Sequence, residues 1–312
     1  MKFLPIVFTC DNNYFKYTAI VIKSILCNID FDTKYEFNIL SEDLSEKNKD
    51  LGKKMIQDYP NTSIIFINLE QIDKEKFYLN SYMNISTYYR FYIPEIFKTY
   101  ERILYLDSDL IIDNSISFYA TIDFENKIAI TSPSIYIQKK LSENNDDSFN
   151  LDYFNSTLKM NDITQYFNAG VMLMNLDKIR NQAIDRKMFS SLTEIKEPYY
   201  QDQDLLNSVF HNNGGVKMIS NEFNNPITYK ITFKRLFLNA VKHNFFNKKR
   251  NDWFTIYHYV GQIKPWQAYK IDSNLFLYYA YKTPFISEIF QQNQALKVSK
   301  LTKCKLWLVS LF

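Results

Sequence analysis

Between Ile103 and Ile112 the chain reads Ile-Leu-Tyr-Leu-Asp-Ser-Asp-Leu-Ile-Ile, two apolar segments with a pair of carboxylates set between them. Segments this short and this apolar are buried strands, and an ionised carboxylate beside them is costly to desolvate unless something compensates it. The stretch therefore demands a sheet interior that ends at Asp107, with a partner for Asp107 and Asp109. Two readings meet that demand. Aspartates one residue apart at the mouth of a sheet suit a hard divalent ion that also holds phosphate oxygens. They equally suit a turn between strands in which both side chains cap backbone amides.

The flanking pattern sets the class. Ile6 to Thr9 reads as a strand, Tyr17 to Cys27 as a helix, Tyr35 to Leu40 as a second strand, about Leu44 to Tyr59 as a polar helix, and Ser63 to Leu69 as a third strand. A helical candidate over Thr87 to Phe97, interrupted by Pro94, leads into a fourth strand at Arg102 to Leu106. Such alternation predicts an α/β domain with a mostly parallel central sheet flanked by helices. Open sheets of this kind take ligands outside the carboxyl ends of their strands, so Asp11 and Asp107 are expected to face one crevice. Further on, Ser142 to Asp162 is dense in Asn, Asp and Ser and reads as a mobile surface loop suited to a lid. Phe167 to Asn175 reads as a strand, Ile179 to Leu192 as one helix, and Asp202 to Val209 as another with acidic residues in its first turn. The sheet domain is expected to occupy residues 1–270, followed by a basic amphipathic extension over 271–312.

Composition narrows the functions. A chain of 312 residues with 46% hydrophobic content holds one large core. With 37 basic and 34 acidic residues it is too balanced for nucleic acid to be its main partner. Cys10, Cys27 and Cys304 match no zinc spacing and leave an odd thiol, which favours a reducing, cytoplasmic setting. The apolar N-terminus stops at Asp11-Asn12-Asn13 and carries Pro5, so it reads as a strand rather than a signal peptide. No apolar run approaches the length needed to span a bilayer, and no internal repeat is evident.

Glycine is scarce, at five residues, so each one marks a sharp turn or a close approach. Neither the dinucleotide nor the P-loop glycine pattern is present. In Tyr257-His258-Tyr259-Val260-Gly261-Gln262-Ile263-Lys264-Pro265-Trp266, an imidazole, a glycine and a lysine are spaced to serve a metal and phosphates; a strand-end turn with a buried histidine and a solvated lysine is the plainer alternative. Tyr199-Tyr200-Gln201-Asp202-Gln203-Asp204 is either a polar ligand-facing step or a helix N-terminus with favourable acidic residues. Phe167-Asn168-Ala169-Gly170-Val171 either admits a ligand beside a strand or marks a bulge.

Taken in order, Asp11-Asn12-Asn13-Tyr14, Arg90, Asp107-Ser108-Asp109, Asn168-Ala169-Gly170, Gln201 to Asp204, and His258 to Trp266 resemble family 8 of the retaining glycosyltransferases over about residues 3–270. The likeness is strongest to bacterial lipooligosaccharide α-galactosyltransferases, with glycogenin more distant. It implies a GT-A nucleotide-diphospho-sugar transferase fold and retaining transfer of a hexose from a UDP-sugar donor. It also implies Mn²⁺, with Mg²⁺ as the substitute, on Asp107, Asp109 and His258. By the same likeness Thr9, Asp11, Asn13 and Tyr14 hold uracil and ribose, Tyr14 by stacking on the base. Arg90, Ser108, Asn168, Ala169, Gly170, Asp202 and Gln203 surround the donor, while Lys264 and the Gly261 amide meet its phosphates. Gln203 lies across the anomeric carbon, with Asp202 as the rival nucleophile.

An amide is a poor nucleophile, so front-face transfer is the favoured mechanism. One departure stands out: Thr131-Ser132-Pro133-Ser134 lacks an aspartate that the related galactosyltransferases carry, which leaves galactose and glucose both open. The basic, bulky C-terminus suits an anionic membrane surface, with Trp307 and Phe312 inserted, or else a tail packed on the domain. The membrane reading implies a glycolipid or oligosaccharide acceptor at the inner leaflet, with Phe233 to Arg250 as a contact for its head. Two alternatives remain: a transferase with a protein acceptor, and a catalytically silent sugar-nucleotide-binding scaffold.

Overall fold

Period-two alternation along the central strands sorts their side chains onto two faces, and each face is covered. Leu4, Ile6 and Phe8 of β1 (Lys2–Thr9), Leu104 and Leu106 of β4 (Arg102–Leu106), and Val171 and Leu173 of β7 (Phe167–Asn175) enter one apolar cluster. Val7, Ile103, Tyr105, Met172 and Met174, one residue out of phase, enter a second cluster on the opposite face. The result is a three-layer α/β arrangement. It is seen in a computed structural model that describes residues 1–69, 77, 85–143, 149–227, 255–261, 264–267, 273–292, 305, 307 and 308.

With β2 (Thr33–Ser41), β3 (Thr62–Asn68), β6 (Ala129–Pro133) and β8 (Lys217–Met218), these strands form a seven-stranded sheet in the order β3-β2-β1-β4-β7-β6-β8. β7 alone runs antiparallel to its neighbours, β4 and β6. This is the mostly parallel sheet that the sequence predicts. Pro5 lies in a central strand, which is unusual for proline. It precedes the point at which β1 begins to pair with β4, at Ile6, so it removes no donor from that ladder. A smaller sheet joins β5 (Leu110–Ile112), β10 (Ile256–His258) and β9 (Asn225–Pro226), with β10 antiparallel to β5.

Helix α1 (Phe15–Leu26) is buried along nearly its whole length because it packs against β5, α2 (Glu46–Ile56) and the helix Ser273–Ala280 and shares the first apolar cluster with the large sheet. α2 starts at Ser45, whose Oγ accepts the Asn48 amide at 3.3 Å. A Cβ at Gly52 would come within 3.1 Å of both Phe15 and Phe66, so this glycine serves the close approach of helix to sheet.

Three expectations are corrected. Thr87 to Phe97 is a 3-10 turn over Ile85–Tyr92 followed by α3 (Ile93–Ile96); Pro94 stands in the first turn of α3, where its missing N–H costs nothing, and does not interrupt it. Ser142 to Asp162 is not simply a surface loop. α4 (Ile135–Glu143) runs into it, and Phe149, Phe154, Leu158 and Met160 are buried in the second cluster, so its polar composition hides four core anchors; residues 144–148 lie outside the described residues. Ile179 to Leu192 is two helices, α5 (Leu176–Asn181) and α6 (Ile184–Glu194), parted at Ala183, whose φ of 51° is left-handed. Beyond residue 271, Leu275, Phe276, Leu277, Phe285 and Ile289 belong to the first cluster. Phe233 to Arg250 and most of 293–312, Phe312 included, lie outside the described residues.

Candidate active site

The carboxyl end of β4 delivers Asp107, and the start of β7 stands beside it because β7 runs the other way. The Asp107 amide donates to the Gly170 carbonyl at 2.9 Å, continuing the β4–β7 ladder past its last pair, Leu106 and Val171. Asp109 precedes β5, and the Tyr259 amide donates to its carbonyl at 3.0 Å, which ties His258 at the end of β10 to the same place. Here Asp107, Asp109 and His258 each offer a ligand atom within 4.8 Å of the others. His258 Nε2 lies 3.2 Å from Asp109 Oδ1 and 3.8 Å from Asp107 Oδ2.

Two observations show that these residues fit a divalent cation. Asp109 Oδ1 is buried and, among the described residues, makes no hydrogen bond. A Cβ on Gly170 would come 2.4 Å from His258 Cε1 and 2.5 Å from Asp107 Oδ2, so the glycine keeps the space beside these ligands clear. Burial opposes ionisation of Asp109, but the Lys264 ammonium and the His258 ring outweigh it and hold the carboxyl well below the usual range. Lys264 Nζ donates to Asp109 Oδ2 at 2.6 Å and to the Tyr259 carbonyl at 2.8 Å.

Arg90 organises the opposite side. Buried on the 3-10 turn, it donates from Nη2 to Asp107 Oδ1 at 3.0 Å and from Nη1 to the Ala169 carbonyl at 2.9 Å, and its guanidinium lies over the Tyr105 ring. Its Nε lies 2.9 Å from Asp202 Oδ2, although that N–H is aimed at the Thr87 carbonyl. Burial alone would lower the Arg90 pKa, but Asp202, Tyr105 and Asp107 raise it, so the charge is secure. Burial, with repulsion from Asp107 and against the pull of Arg90, pushes the Asp202 carboxyl up to about 6.

Gln203, in α7 (Asp202–His211), is held at both ends: Oε1 accepts the Ala169 amide at 3.1 Å and Nε2 donates to the Tyr166 hydroxyl at 3.2 Å. Tyr166 in turn donates to Asp204, which also accepts from Tyr153 Oη at 2.9 Å and the Tyr200 amide at 2.8 Å. Gln201, which precedes α7, has φ 46°, and its fully buried side-chain amide has no hydrogen-bond partner among the described residues.

Of the residues expected from the sequence, Asp107, Asp109, His258, Lys264, Arg90, Asn168, Ala169, Gly170, Asp202 and Gln203 form one connected group. Thr9 joins it through Tyr105, whose hydroxyl lies 3.1 Å from Thr9 Oγ1 and donates to Asp107 Oδ1 at 2.8 Å. Ser108 turns away, to Thr18 Oγ1 at 2.8 Å. Asp11 Oδ1 accepts the Tyr14 amide at 2.7 Å, and Tyr14 sets its ring edge-on to Trp266 at 6.0 Å. Asn13 and Gly261 are exposed, and no hydrogen bond among the described residues ties them in.

Tyr105, Tyr166 and Asn224 escaped sequence reading. Asn224 Oδ1 lies 2.8 Å from His258 Nδ1. It is one asparagine in an irregular asparagine-rich stretch, where no periodicity marks it.

Set beside known proteins, residues 5–270 match the family described as Glycosyl transferase family 8. A lipopolysaccharide 1,2-glucosyltransferase of Escherichia coli is 29% identical over 266 residues, covering 82% of this chain and 71% of that protein. A lipopolysaccharide 1,3-galactosyltransferase of Salmonella typhimurium is 25% identical over 274 residues, covering 85% of this chain and 73% of its own. Among solved structures, an active-site mutant of LgtC superposes over 93% of this chain and 100% of its own, with TM-score 0.68 and 25% identity. The bifunctional glycosyltransferase WbbM superposes with TM-score 0.75 at 22% identity; this chain spans 52% of it. The architecture is the GT-A type that the sequence led us to expect. Because the family match spans residues 5–270, from the first strand past His258 and Lys264, the chain belongs to glycosyl transferase family 8 and is a transferase.

Proposed function

We propose that the protein transfers a hexose, galactose or glucose, from a UDP-sugar to a glycan acceptor of the lipooligosaccharide or lipopolysaccharide kind, with retention of anomeric configuration. Asp107, Asp109 and His258 would hold Mn²⁺, or Mg²⁺ in its place. One observation carries the reading: a buried Asp109 oxygen with no hydrogen bond among the described residues faces His258 Nε2 at 3.2 Å, beside Gly170, whose missing Cβ leaves the space clear. One imidazole with two carboxylates suits Mn²⁺ better than Mg²⁺. Bound there, the ion would neutralise charge growing on the departing UDP.

The chain's own groups supply the rest. Lys264 stands on Asp109 and brings a second positive charge to where the diphosphate would lie. Arg90 holds Asp107 and Asp202 in fixed relation, so a metal ligand and a donor-facing carboxylate are set by one cation. The acceptor oxygen attacks the anomeric carbon on the face that UDP leaves. Its proton passes to the departing phosphate oxygen, which keeps the electron pair of the broken carbon–oxygen bond. Two anchors on the Gln203 amide support this route over attack by Gln203 itself, since a nucleophile must turn toward the sugar and an amide starts weak. Its carbonyl instead faces positive charge developing on the sugar. The ion pair with buried Arg90 likewise supports a positioning role for Asp202.

A panel of UDP-hexoses incubated with the protein and Mn²⁺ tests this, with donor hydrolysis and product anomeric configuration read by NMR. Turnover of one hexose, lost in Asp109→Ala, is the expected result. No turnover of any hexose, with UDP affinity indifferent to metal, would establish the binding-scaffold alternative instead. The reading extends to an anionic membrane surface reached through Lys305 and the half-exposed Trp307 and Leu308. Flotation with vesicles of anionic lipid, reversed by raised salt, is the check. Among the described residues no helix is long and apolar enough to cross a membrane.

A further inference from the structure

His258 must present a lone pair at Nε2 to bind a metal, which requires its ring proton to sit on Nδ1. The structure contains a chain of amides that dictates this. It begins at the Gly170 amide, a group that can only donate, which gives its hydrogen to Asn168 Oδ1 at 3.0 Å. That bond fixes which way the Asn168 side chain faces, because the reverse orientation would set two donors against each other. The same Oδ1 accepts from Asn224 Nδ2 at 2.9 Å, which fixes Asn224 in turn. Asn224 Oδ1 is then the atom left to face His258 Nδ1, at 2.8 Å, and an oxygen there can only accept. Asn224 and His258 are 3% and 4% exposed, so water does not compete with the chain.

We infer that Asn168 and Asn224 are positioning residues that fix the His258 tautomer from the Gly170 amide and thereby set metal affinity. The inference rests on the proposed metal role of His258. Asn168 does double duty. Its oxygen is used twice within the chain, so its Nδ2 is the group available to the donor sugar. Sugar recognition and ligand orientation thus meet in one amide.

Two substitutions separate these functions. Asn224→Ala removes the acceptor from Nδ1 and should weaken Mn²⁺ binding about 10- to 100-fold. Asn168→Asp keeps an oxygen for both donors, so Mn²⁺ affinity should hold or tighten, while loss of Nδ2 raises the KM for UDP-sugar. Mn²⁺ affinity is measured by electron paramagnetic resonance titration without nucleotide, on variants whose thermal unfolding shows them folded. A measurement on the unaltered protein needs no variant: a long-range ¹H–¹⁵N spectrum of the ring nitrogens with Mg²⁺ bound. There are three histidines, and comparison with His258→Asn assigns the signal. A protonated Nδ1 is expected.

Wild-type Mn²⁺ affinity in folded Asn224→Ala, or a proton on Nε2, would overturn the inference. If the unaltered protein binds no metal at all, it is the metal role of His258 that fails, and the inference with it.

Discussion

Gly170 is the residue where backbone and chemistry meet most closely. Its missing Cβ leaves room for His258 and Asp107, and its N–H and C=O both carry hydrogen bonds of the site. Gly170→Ala should therefore lower kcat/KM about 100-fold by displacing the ligands and cost about 1–3 kcal/mol of stability through overpacking, read from initial rates and urea unfolding. Asp204 gives a prediction of another kind. Burial pushes its carboxyl up to about 6 from 3.8, against the hydrogen bonds of Tyr166, Tyr200 and Tyr153. The native chain then binds this proton more tightly than the unfolded chain does. Stability falls as pH climbs from about 4 to about 6, by at most roughly 3 kcal/mol from this group. Asp204→Asn stays neutral throughout, so the stability of wild type relative to it should drop across that window. Urea unfolding at pH 4, 5, 6 and 7 reads the difference, and a constant gap would refute it. Asp107 and Asp109 were legible in the sequence because carboxylates between apolar runs stand out. Asn224 and Tyr105 were not, because neutral hydrogen-bonding groups acquire a role only from the neighbours the fold gives them.

Elements tell a parallel story. β1, β2, β4 and β7 were readable because each is a largely apolar run buried on both faces, and β3, half-buried at the sheet edge, because Ile64 to Ile67 is an unbroken apolar run. β8, Lys217–Met218, and β9, Asn225–Pro226, were not: two residues of mixed polarity become strands only when a neighbouring strand supplies the ladder. Within the segment 264–267, Trp266 stacks on Tyr17 of α1 with centroids 3.9 Å apart and packs on Phe276. These contacts fasten the residues around Lys264 to the start of α1. Trp266→Ala should cost about 3–5 kcal/mol and raise the KM for donor more than it lowers kcat, since Lys264 loses its footing. Denaturant unfolding and steady-state kinetics measure the two effects; an unchanged KM would place Lys264 under other control.

At the scale of the molecule, the first apolar cluster is completed by residues from Leu275 to Ile289. A chain ended at residue 270 should fail to fold, appearing as insoluble protein or as loss of near-ultraviolet circular dichroism. A soluble, cooperatively unfolding product would show the cluster to be dispensable. The pairing of β5 with β10 has a further consequence, for the path of folding. It joins residues 110–112 to residues 256–258, so His258 reaches Asp107 and Asp109 only once the long segment between them, nearly half of the chain, has closed into a loop. Contacts of such long range form slowly, since their loops must close before the pairing repays them. Until that closure the proposed metal site does not exist. Mn²⁺ should consequently leave the folding rate unchanged and slow unfolding, adding about 2.7 kcal/mol when its concentration is 100-fold above its Kd. The ion would thus act as a latch, set at the end of folding and released at the start of unfolding.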